Sequence, residues 1–105
     1  MPHAYAEIIC SCGQSEKYHC HSHDKDGYLN DFNCGYFNVA VFKKAQIGIL
    51  MGFDQLAGLY FNISCKKCGR KEHMLYEAKT FGKKEKKDFF LCCGNSLNFN
   101  FSWAH

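Results

Sequence analysis

Hydrophobic and polar residues alternate most regularly near the end of the chain. From residue 97 to residue 104 every second residue is large and apolar, and Asn, Ser or Ala stands between them. Successive side chains of a β-strand point to opposite faces, so this period of two predicts a strand with one face in a core and the other in water. The predicted core residues are Leu97, Phe99, Phe101 and Trp103.

Aromatic and β-branched residues are concentrated in several other short stretches, which are typical of strands. No stretch keeps a helical period, so we predict a mainly β fold, a single small antiparallel domain over residues 1–105. The predicted strands are residues 5–9, 36–42, 59–64, 73–79 and a strand beginning at 88–91, with a further apolar run at 46–51. The predicted connections are His19–Asp31, residues 52–58 with one helical turn at 54–57, and residues 81–87.

A weak internal repeat divides the chain near Gly52. In each half a Cys-Gly pair is followed, after a similar gap, by a second cysteine and an aromatic strand. The gap is 22 residues from Cys12 to Cys34 and 25 residues from Cys68 to Cys93. We therefore expect the domain to consist of two related sheet halves.

Two cysteine pairs have the spacing of zinc knuckles. Cys65 and Cys68 are separated by two residues and followed by a glycine, which allows the positive φ of such a turn. One knuckle supplies half of a tetrahedral site, and the best partner is Cys10-Ser11-Cys12, which is also followed by glycine. We predict one closed structural Zn²⁺ site that ties the first strand to the middle of the chain. Its ligands are Cys10, Cys12, Cys65 and Cys68.

The spacing leaves alternatives open for the remaining cysteines and for a histidine cluster. Two separate zinc sites would use Cys10, Cys12 and Cys34 with a His or Cys20, and Cys65, Cys68, Cys92 and Cys93. With a single site, Cys34, Cys92 and Cys93 would be small buried apolar residues. The cluster His19, His21 and His23 would either bind a further metal ion or belong to an exposed polar loop.

The start of the sequence bears on the expected compartment. Residues 1–7 lack an apolar run with a basic flank, and no segment approaches the length of a membrane span. We therefore expect a cytoplasmic protein with no membrane partner. Thiols stay reduced in that compartment, so eight cysteines favour metal binding, whereas in a secreted chain they would indicate four disulfides.

Basic residues are unevenly distributed along the chain. Nine of the thirteen fall within residues 66–87, which contain three acidic residues, so this stretch has a formal charge of +6. Residues 1–64 have a formal charge of −2. This asymmetry predicts an acidic partner for the second half, and the alternative is a solvated surface loop. The nine candidates are Lys66, Lys67, Arg70, Lys71, Lys79, Lys83, Lys84, Lys86 and Lys87.

The first knuckle resembles part of a known family. Glu7–Gln14 closely resembles a Cys-x-Cys-Gly-Gln knuckle in the C-terminal regulatory domain of the RIG-I-like receptors, and Cys34–Lys44 resembles the apolar strand that follows it there. In that family a second knuckle, Cys-x-x-Cys flanked by basic residues, completes a four-cysteine zinc site, and Cys65 and Cys68 are similar to it. The family places the Cys-x-x-Cys knuckle first, whereas this chain places it second.

The resemblance implies an antiparallel β domain that binds double-stranded RNA and its ends through lysines and aromatic residues. It also implies the role of zinc ligand for Cys10 and Cys12, and by the looser match for Cys65 and Cys68. The family has an RNA-facing lysine at the position of Gly35 in this chain.

These patterns favour a binding module over an enzyme. A site closed by four cysteines leaves no coordination position for a substrate, and no carboxylate has a spacing typical of a general base. We expect a zinc-stabilised domain that binds RNA, double-stranded or at an end, through its basic stretch. The alternative is a protein-interaction module that uses the Asn-rich face of the last strand or the loops.

Overall fold

The computed structural model describes residues 3–21, 25–47, 55–77 and 85–104. These residues form antiparallel strands joined by short turns, so the predicted mainly β class is confirmed. None of them belongs to a helix that could cross a membrane. The strands are β1 (His3–Cys10), β2 (Ser15–His21), β3 (Gly27–Asn33), β4 (Phe37–Ile47), β5 (Gln55–Cys65), β6 (Lys71–Glu77), β7 (Glu85–Cys92) and β8 (Asn95–Ala104).

The strands build two four-stranded sheets. One has the order β2-β1-β8-β7 and the other the order β3-β4-β5-β6, and every neighbouring pair is antiparallel. If each strand of the first half is exchanged with the strand four places later, the order β2-β1-β8-β7 becomes β6-β5-β4-β3, which is the order of the other sheet. Each half of the chain thus contributes one hairpin to each sheet, which is the topological form of the repeat.

The core lies between the two sheets and is largely aromatic. The four residues predicted from the period of two in β8 are all buried, so that prediction is confirmed. Phe61 of β5 packs against Phe99 of β8, with ring centroids 5.4 Å apart, and Tyr76 of β6 stacks on Phe101 at 5.3 Å. These contacts join the two sheets through the middle of the molecule.

Several predicted connections are strands instead. The loop prediction for His19–Asp31 is wrong at both ends, because β2 continues to His21 and β3 begins at Gly27. The sequence does not reveal β2 as a strand because most of its side chains are polar and exposed. Only its inner face is apolar, with Tyr18 and Cys20 buried there. The predicted helical turn is wrong over residues 55–57, which pair with β4, and residues 85–87 belong to β7.

All four hairpin turns that carry cysteines lie at one end of the molecule, which we call the turn end. The turns are β1–β2, β3–β4, β5–β6 and β7–β8. The strand ends that border residues 22–24, 48–54 and 78–84 lie at the opposite end. A strand of eight residues separates the two ends by roughly 25 Å, at about 3.3 Å per residue.

Candidate metal centres

Backbone hydrogen bonds fix neighbouring turns beside one another within each sheet. In the first sheet the amide of Ser11 donates to the carbonyl of Ser96 at 2.9 Å. In the second sheet the amide of Lys66 donates to the carbonyl of Tyr36 at 3.0 Å. Each sheet therefore presents two adjacent turns at the turn end, and the cysteines on them meet cysteines from the other sheet.

Four cysteines from the β5–β6 and β7–β8 turns form the four-cysteine group. The sulfur atoms of Cys65, Cys68, Cys92 and Cys93 all lie within 4.8 Å of one another. The sulfur of Cys65 is 3.8 Å from that of Cys93, and the sulfur of Cys68 is 3.3 Å from that of Cys92. Tetrahedral thiolates with zinc–sulfur bonds of about 2.3 Å stand about 3.8 Å apart, so the spacing suits one metal ion.

Disulfide bonds do not explain the short sulfur–sulfur distances. A disulfide joins sulfurs about 2.05 Å apart, which is far shorter than any of the distances in this group. All eight cysteines of the chain lie within the described residues, and all are free.

The β5–β6 turn has the geometry that a knuckle needs. The amide of Gly69 donates to the carbonyl of Cys65 at 2.9 Å, and the φ angle of Gly69 is 76°. Residues with a Cβ disfavour this left-handed region, so glycine is the suitable residue after the second cysteine. The amide of Cys65 in turn donates to the carbonyl of Arg70 at 2.8 Å, which closes the turn around the sulfur atoms.

The β7–β8 turn places two consecutive cysteines in the group. Cys92 pairs with Asn95, so Cys93 and Gly94 form a two-residue hairpin turn with φ angles of 53° and 77°. Two positive φ angles are typical of the tight turns that match the twist of a hairpin. Cys93 is the one described residue other than glycine with a positive φ. This disfavoured conformation positions its sulfur beside Cys65 and Cys92.

The electrostatic environment differs among the four thiols. Amide hydrogen bonds, from Cys68 and then from Lys67, lower the pKa of Cys65 to about 6. The pKa of Cys92 is raised to about 12, chiefly by its hydrogen bond with Cys68 and then by burial. The pKa of the Cys65 thiol therefore lies well below that of the Cys92 thiol. A divalent metal ion would replace the thiol protons and stabilise all four thiolates.

Three cysteines from the β1–β2 and β3–β4 turns form the three-cysteine group. The ligand atoms of Cys10, Cys12 and Cys34 all lie within 4.8 Å of one another. The sulfurs of Cys10 and Cys34 are 3.2 Å apart, and the amide of Cys12 points at the sulfur of Cys10 at 3.5 Å. Cys10 and Cys34 are buried, whereas Cys12 is exposed. Burial is the main cause that raises the pKa of Cys10 to about 12.

The structure does not bring the predicted ligands Cys10, Cys12, Cys65 and Cys68 into one site. Each knuckle faces a hairpin turn of the opposite sheet and not the other knuckle, so the two pairs belong to different groups. The grouping is that of the two-site alternative, except that no described His, nor Cys20, joins the first group as its fourth ligand. Cys20 lies on the inner face of β2, and its thiol contacts the carbonyl of Gly58 at 3.6 Å.

Two members of the histidine cluster, His19 and His21, lie on β2 at the end of the molecule opposite the turns. The His3 Nδ1 and His19 Nε2 atoms are 3.0 Å apart, and the ring of His21 meets the edge of His3 with centroids 4.1 Å apart. His23 lies outside the described residues. Within the part of the chain that the structure describes, the groups with metal-binding geometry consist of cysteines.

Six of the nine predicted RNA-binding cations are described, and all six are exposed. Four of them, Lys66, Lys67, Arg70 and Lys71, belong to the β5–β6 turn or the residue after it. Lys86 and Lys87 lie on β7, and Lys79, Lys83 and Lys84 fall outside the described residues.

The strands β6 and β7 are edge strands of the two sheets, and two cations lie over aromatic rings there. The guanidinium carbon of Arg70 lies 5.2 Å from the ring centroid of Phe90, a β7 residue. The ammonium of Lys86 lies 5.5 Å from the ring centroid of Tyr76, a β6 residue. We call this side of the molecule the β6–β7 edge.

Two large apolar side chains on the outer face of β7 were not predicted as site residues. Phe89 is 60% exposed and Leu91 is 57% exposed. The sequence predicts a strand here, but it does not show which residues face water, because Phe89, Phe90 and Leu91 are consecutive and all apolar. Alternation places Phe90 in the core and its two neighbours outside.

No known protein family, curated protein or solved structure matches this chain.

Proposed function

We propose that this protein is a binding module in which Zn²⁺ at the four-cysteine group holds the two sheets together, and that it binds RNA along the β6–β7 edge. The RNA is double-stranded or offers an end. The observation that carries the RNA proposal is the exposed Phe89 on the same face of β7 as the exposed Lys87, with Arg70 against the ring of the neighbouring Phe90. No catalytic role is proposed.

Zinc is the metal that best fits four thiolates. Thiolate ligands select soft or borderline cations, and four of them in tetrahedral spacing are typical of structural zinc sites. Four protein ligands leave no position for water or a substrate, so the ion would act as a cross-link between the β5–β6 and β7–β8 hairpins. These hairpins belong to different sheets, so the cross-link would oppose separation of the two sheets.

RNA suits the β6–β7 edge in charge and in chemistry. Cations gain affinity for phosphates by releasing counterions, and exposed aromatic rings stack on unpaired bases. Lys87 and Phe89 lie on the same outer face of β7, and Arg70 lies against the next residue, Phe90. The RIG-I-like receptor domain, which the knuckles resemble in sequence, binds double-stranded RNA and RNA ends.

Matched charge variants test the RNA proposal. The triple variant Lys67→Gln, Arg70→Gln, Lys87→Gln removes three cations from the edge. The control Lys17→Gln, Lys25→Gln, Lys44→Gln removes the same charge from exposed positions elsewhere. In a salt titration of duplex RNA binding, the edge variant should bind more weakly and lose about one unit of slope in log K against log salt for each phosphate contact removed. The control should keep the wild-type slope.

Aromatic variants separate stacking from charge. Phe89→Ala should weaken binding of RNA with a single-stranded end by about 1–3 kcal/mol if a base stacks on the ring. Tyr28→Ala is the matched control, because Tyr28 is equally exposed but lies on β3, outside the edge. Equal affinities and slopes for wild type and the edge variant would reject RNA as the ligand of this surface.

A protein partner is the second candidate, and the exposed apolar pair on β7 favours it. Phe89 and Leu91 stand on an edge strand, whose unpaired backbone groups can pair with an extended segment of another protein. The Asn-rich outer face of β8 lies beside them through the pairs of Phe89 with Asn98 and Lys87 with Asn100. Binding to a protein that is insensitive to salt, together with no RNA binding, would favour this candidate.

A further inference from the structure

We propose that the three-cysteine group binds a soft divalent metal ion such as Zn²⁺ through Cys10, Cys12 and Cys34, and that its fourth coordination position, beside Gly35, is filled by an external thiol. This site is separate from the four-cysteine group and does not depend on the RNA proposal. Its role would be to bind a ligand, because its coordination shell is not complete within the group.

The repeat identifies the missing ligand. In the second half, Cys92 pairs with Asn95, and Cys93 is the first of the two turn residues. In the first half, the amide of Cys34 donates to the carbonyl of Phe37 at 3.0 Å, so the first turn residue is Gly35. Gly35 thus occupies the turn position at which the other group has its fourth cysteine.

Gly35 directly follows the ligand Cys34 in the β3–β4 turn, which the hydrogen bond from the Cys34 amide to the Phe37 carbonyl closes. A Cβ atom added at Gly35 would meet no atom within 4 Å, and Gly35 is not among the residues with positive φ. The turn position after Cys34 therefore has room for a CH₂–S group. Cys12 and Gly35 are both exposed, so the space is open to solvent.

Other described cysteines and histidines do not complete the group. Cys20 and the histidines at residues 3, 19 and 21 lie toward the end of the molecule opposite the turns. The strand ends that flank the undescribed segments lie at that end too. His73 lies on β6, where it pairs with Asn62 and its ring stacks on that of Tyr60.

A thiol is the donor class that fits the open position best. Thiolate-rich sites select soft cations, which prefer a further soft donor. In the neighbouring group the residue at the corresponding turn position, Cys93, supplies a sulfur to its knuckle, although the φ angles of the two turns differ. On binding, the thiol would give its proton to solvent and displace a metal-bound water, so no oxidant or reductant is needed. The thiol could belong to a small molecule or to a cysteine of another chain.

Cobalt(II) substitution tests the site, because the visible spectrum of tetrahedral Co²⁺ responds to its ligands. Wild-type protein should bind two Co²⁺ per chain, and Cys12→Ser should bind one. Addition of 2-mercaptoethanol should shift the visible bands of the wild type, while ethylene glycol, its analogue without sulfur, should leave them unchanged. Light scattering on the same samples distinguishes a small thiol, which leaves the mass of the protein unchanged, from a cysteine of a second copy, which doubles it.

Variants at Gly35 assign the response to one turn position. Gly35→Cys should keep two Co²⁺ and lose the shift with 2-mercaptoethanol, whereas Gly35→Ser, of similar size, should retain it. If Gly35→Cys does not fold, the loss of the thiol-dependent shift in Cys12→Ser, together with its retention in Gly35→Ser, still carries the test.

Three results would overturn the inference. The first is a single Co²⁺ per chain that Cys12→Ser does not remove. The second is two bound Co²⁺ in a wild type that does not respond to thiol. The third is a thiol response that persists unchanged in a folded Gly35→Cys variant. The four-cysteine group is checked separately by Cys65→Ser, which should unfold the protein, whereas Cys12→Ser should leave it folded with one ion.

Discussion

The two cysteine groups occupy equivalent places in the fold and differ by one side chain. Each joins a knuckle of one sheet to a hairpin turn of the other. In the four-cysteine group the first turn residue of the hairpin is Cys93, held at a φ of 53°, and in the three-cysteine group it is Gly35. The repeated topology thus fixes where sulfur atoms gather, and the residue at one turn position decides whether the ligand set is complete.

The difference suggests separate roles for the two groups. A complete set of four thiolates is suited to a structural cross-link, because nothing can enter the coordination shell without displacing a ligand. A set of three with an open, exposed side is suited to binding. Mutations in the four-cysteine group should therefore mainly affect folding, and mutations in the three-cysteine group should mainly affect ligand binding.

Cys65→Ser should have the largest effect on stability. Apparent binding energies of structural zinc are about 10–16 kcal/mol, which matches or exceeds the total stability of a typical domain, about 5–15 kcal/mol. Loss of this ligand should release the metal ion and unfold the protein, as should a strong chelator. Circular dichroism and metal analysis measure both effects. The control is Cys20→Ser, at a cysteine outside both groups, which should keep the full metal content. A folded Cys65→Ser variant with wild-type metal content would contradict the structural role.

Phe101→Ala should have the next largest effect and should act independently of the metal ions. The side chain is buried and stacks on Tyr76 of the other sheet, so its removal should cost about 3–5 kcal/mol. Denaturant titration of the metal-loaded protein measures this cost. Asn98→Ala, at an exposed position of the same strand, should change stability by no more than about 0.5 kcal/mol. A cost for Phe101→Ala as small as that of the control would show that this core contact does not hold the sheets together.

Arg70→Gln should lower the stability of the fold only slightly. The substitution also makes the two knuckles more alike in sequence. Arg70 follows Gly69, just as Gln14 follows Gly13 in the other knuckle. Its guanidinium lies over the Phe90 ring, an interaction worth about 0.5–1 kcal/mol at an exposed site. A Glu72→Gln variant, which removes the weak ion pair at 3.9 Å, separates the ring contact from the ion pair. Equal stabilities of wild type and Arg70→Gln would show that the contact of Arg70 with Phe90 does not stabilise the fold.

The sequence predicts the central strands well because their faces differ in polarity. In β8, Phe99 and Phe101 face the core, and their neighbours Asn98 and Asn100 face outward, so the period of two is visible. The edge strands are harder to predict. In β3 most of the side chains are exposed, and Phe32 is the one fully buried residue, so the hydrophobic pattern is too sparse to indicate a strand.

The spacing of the cysteines predicts that they form knuckles, but it does not predict which cysteines share a metal ion. That pairing depends on which turn faces which across the two sheets, a tertiary property that strand patterns do not contain. The repeat from Cys12 to Cys34 and from Cys68 to Cys93 indicates the correct grouping, because it relates each knuckle to the later cysteine of its own half. Cys93-Gly94 and Cys34-Gly35 look equivalent in sequence, yet the hairpin pairing aligns Gly35 with Cys93.

Anomalous X-ray diffraction at the zinc absorption edge, from crystals of protein expressed with zinc, tests the central claim most directly. The account predicts two peaks at the turn end of the molecule. One should be surrounded by the sulfurs of Cys65, Cys68, Cys92 and Cys93. The other should be bound by those of Cys10, Cys12 and Cys34, with a fourth donor from outside the group beside Gly35. Absence of a peak at the four-cysteine group, or disulfide bonds among its cysteines, would contradict the account.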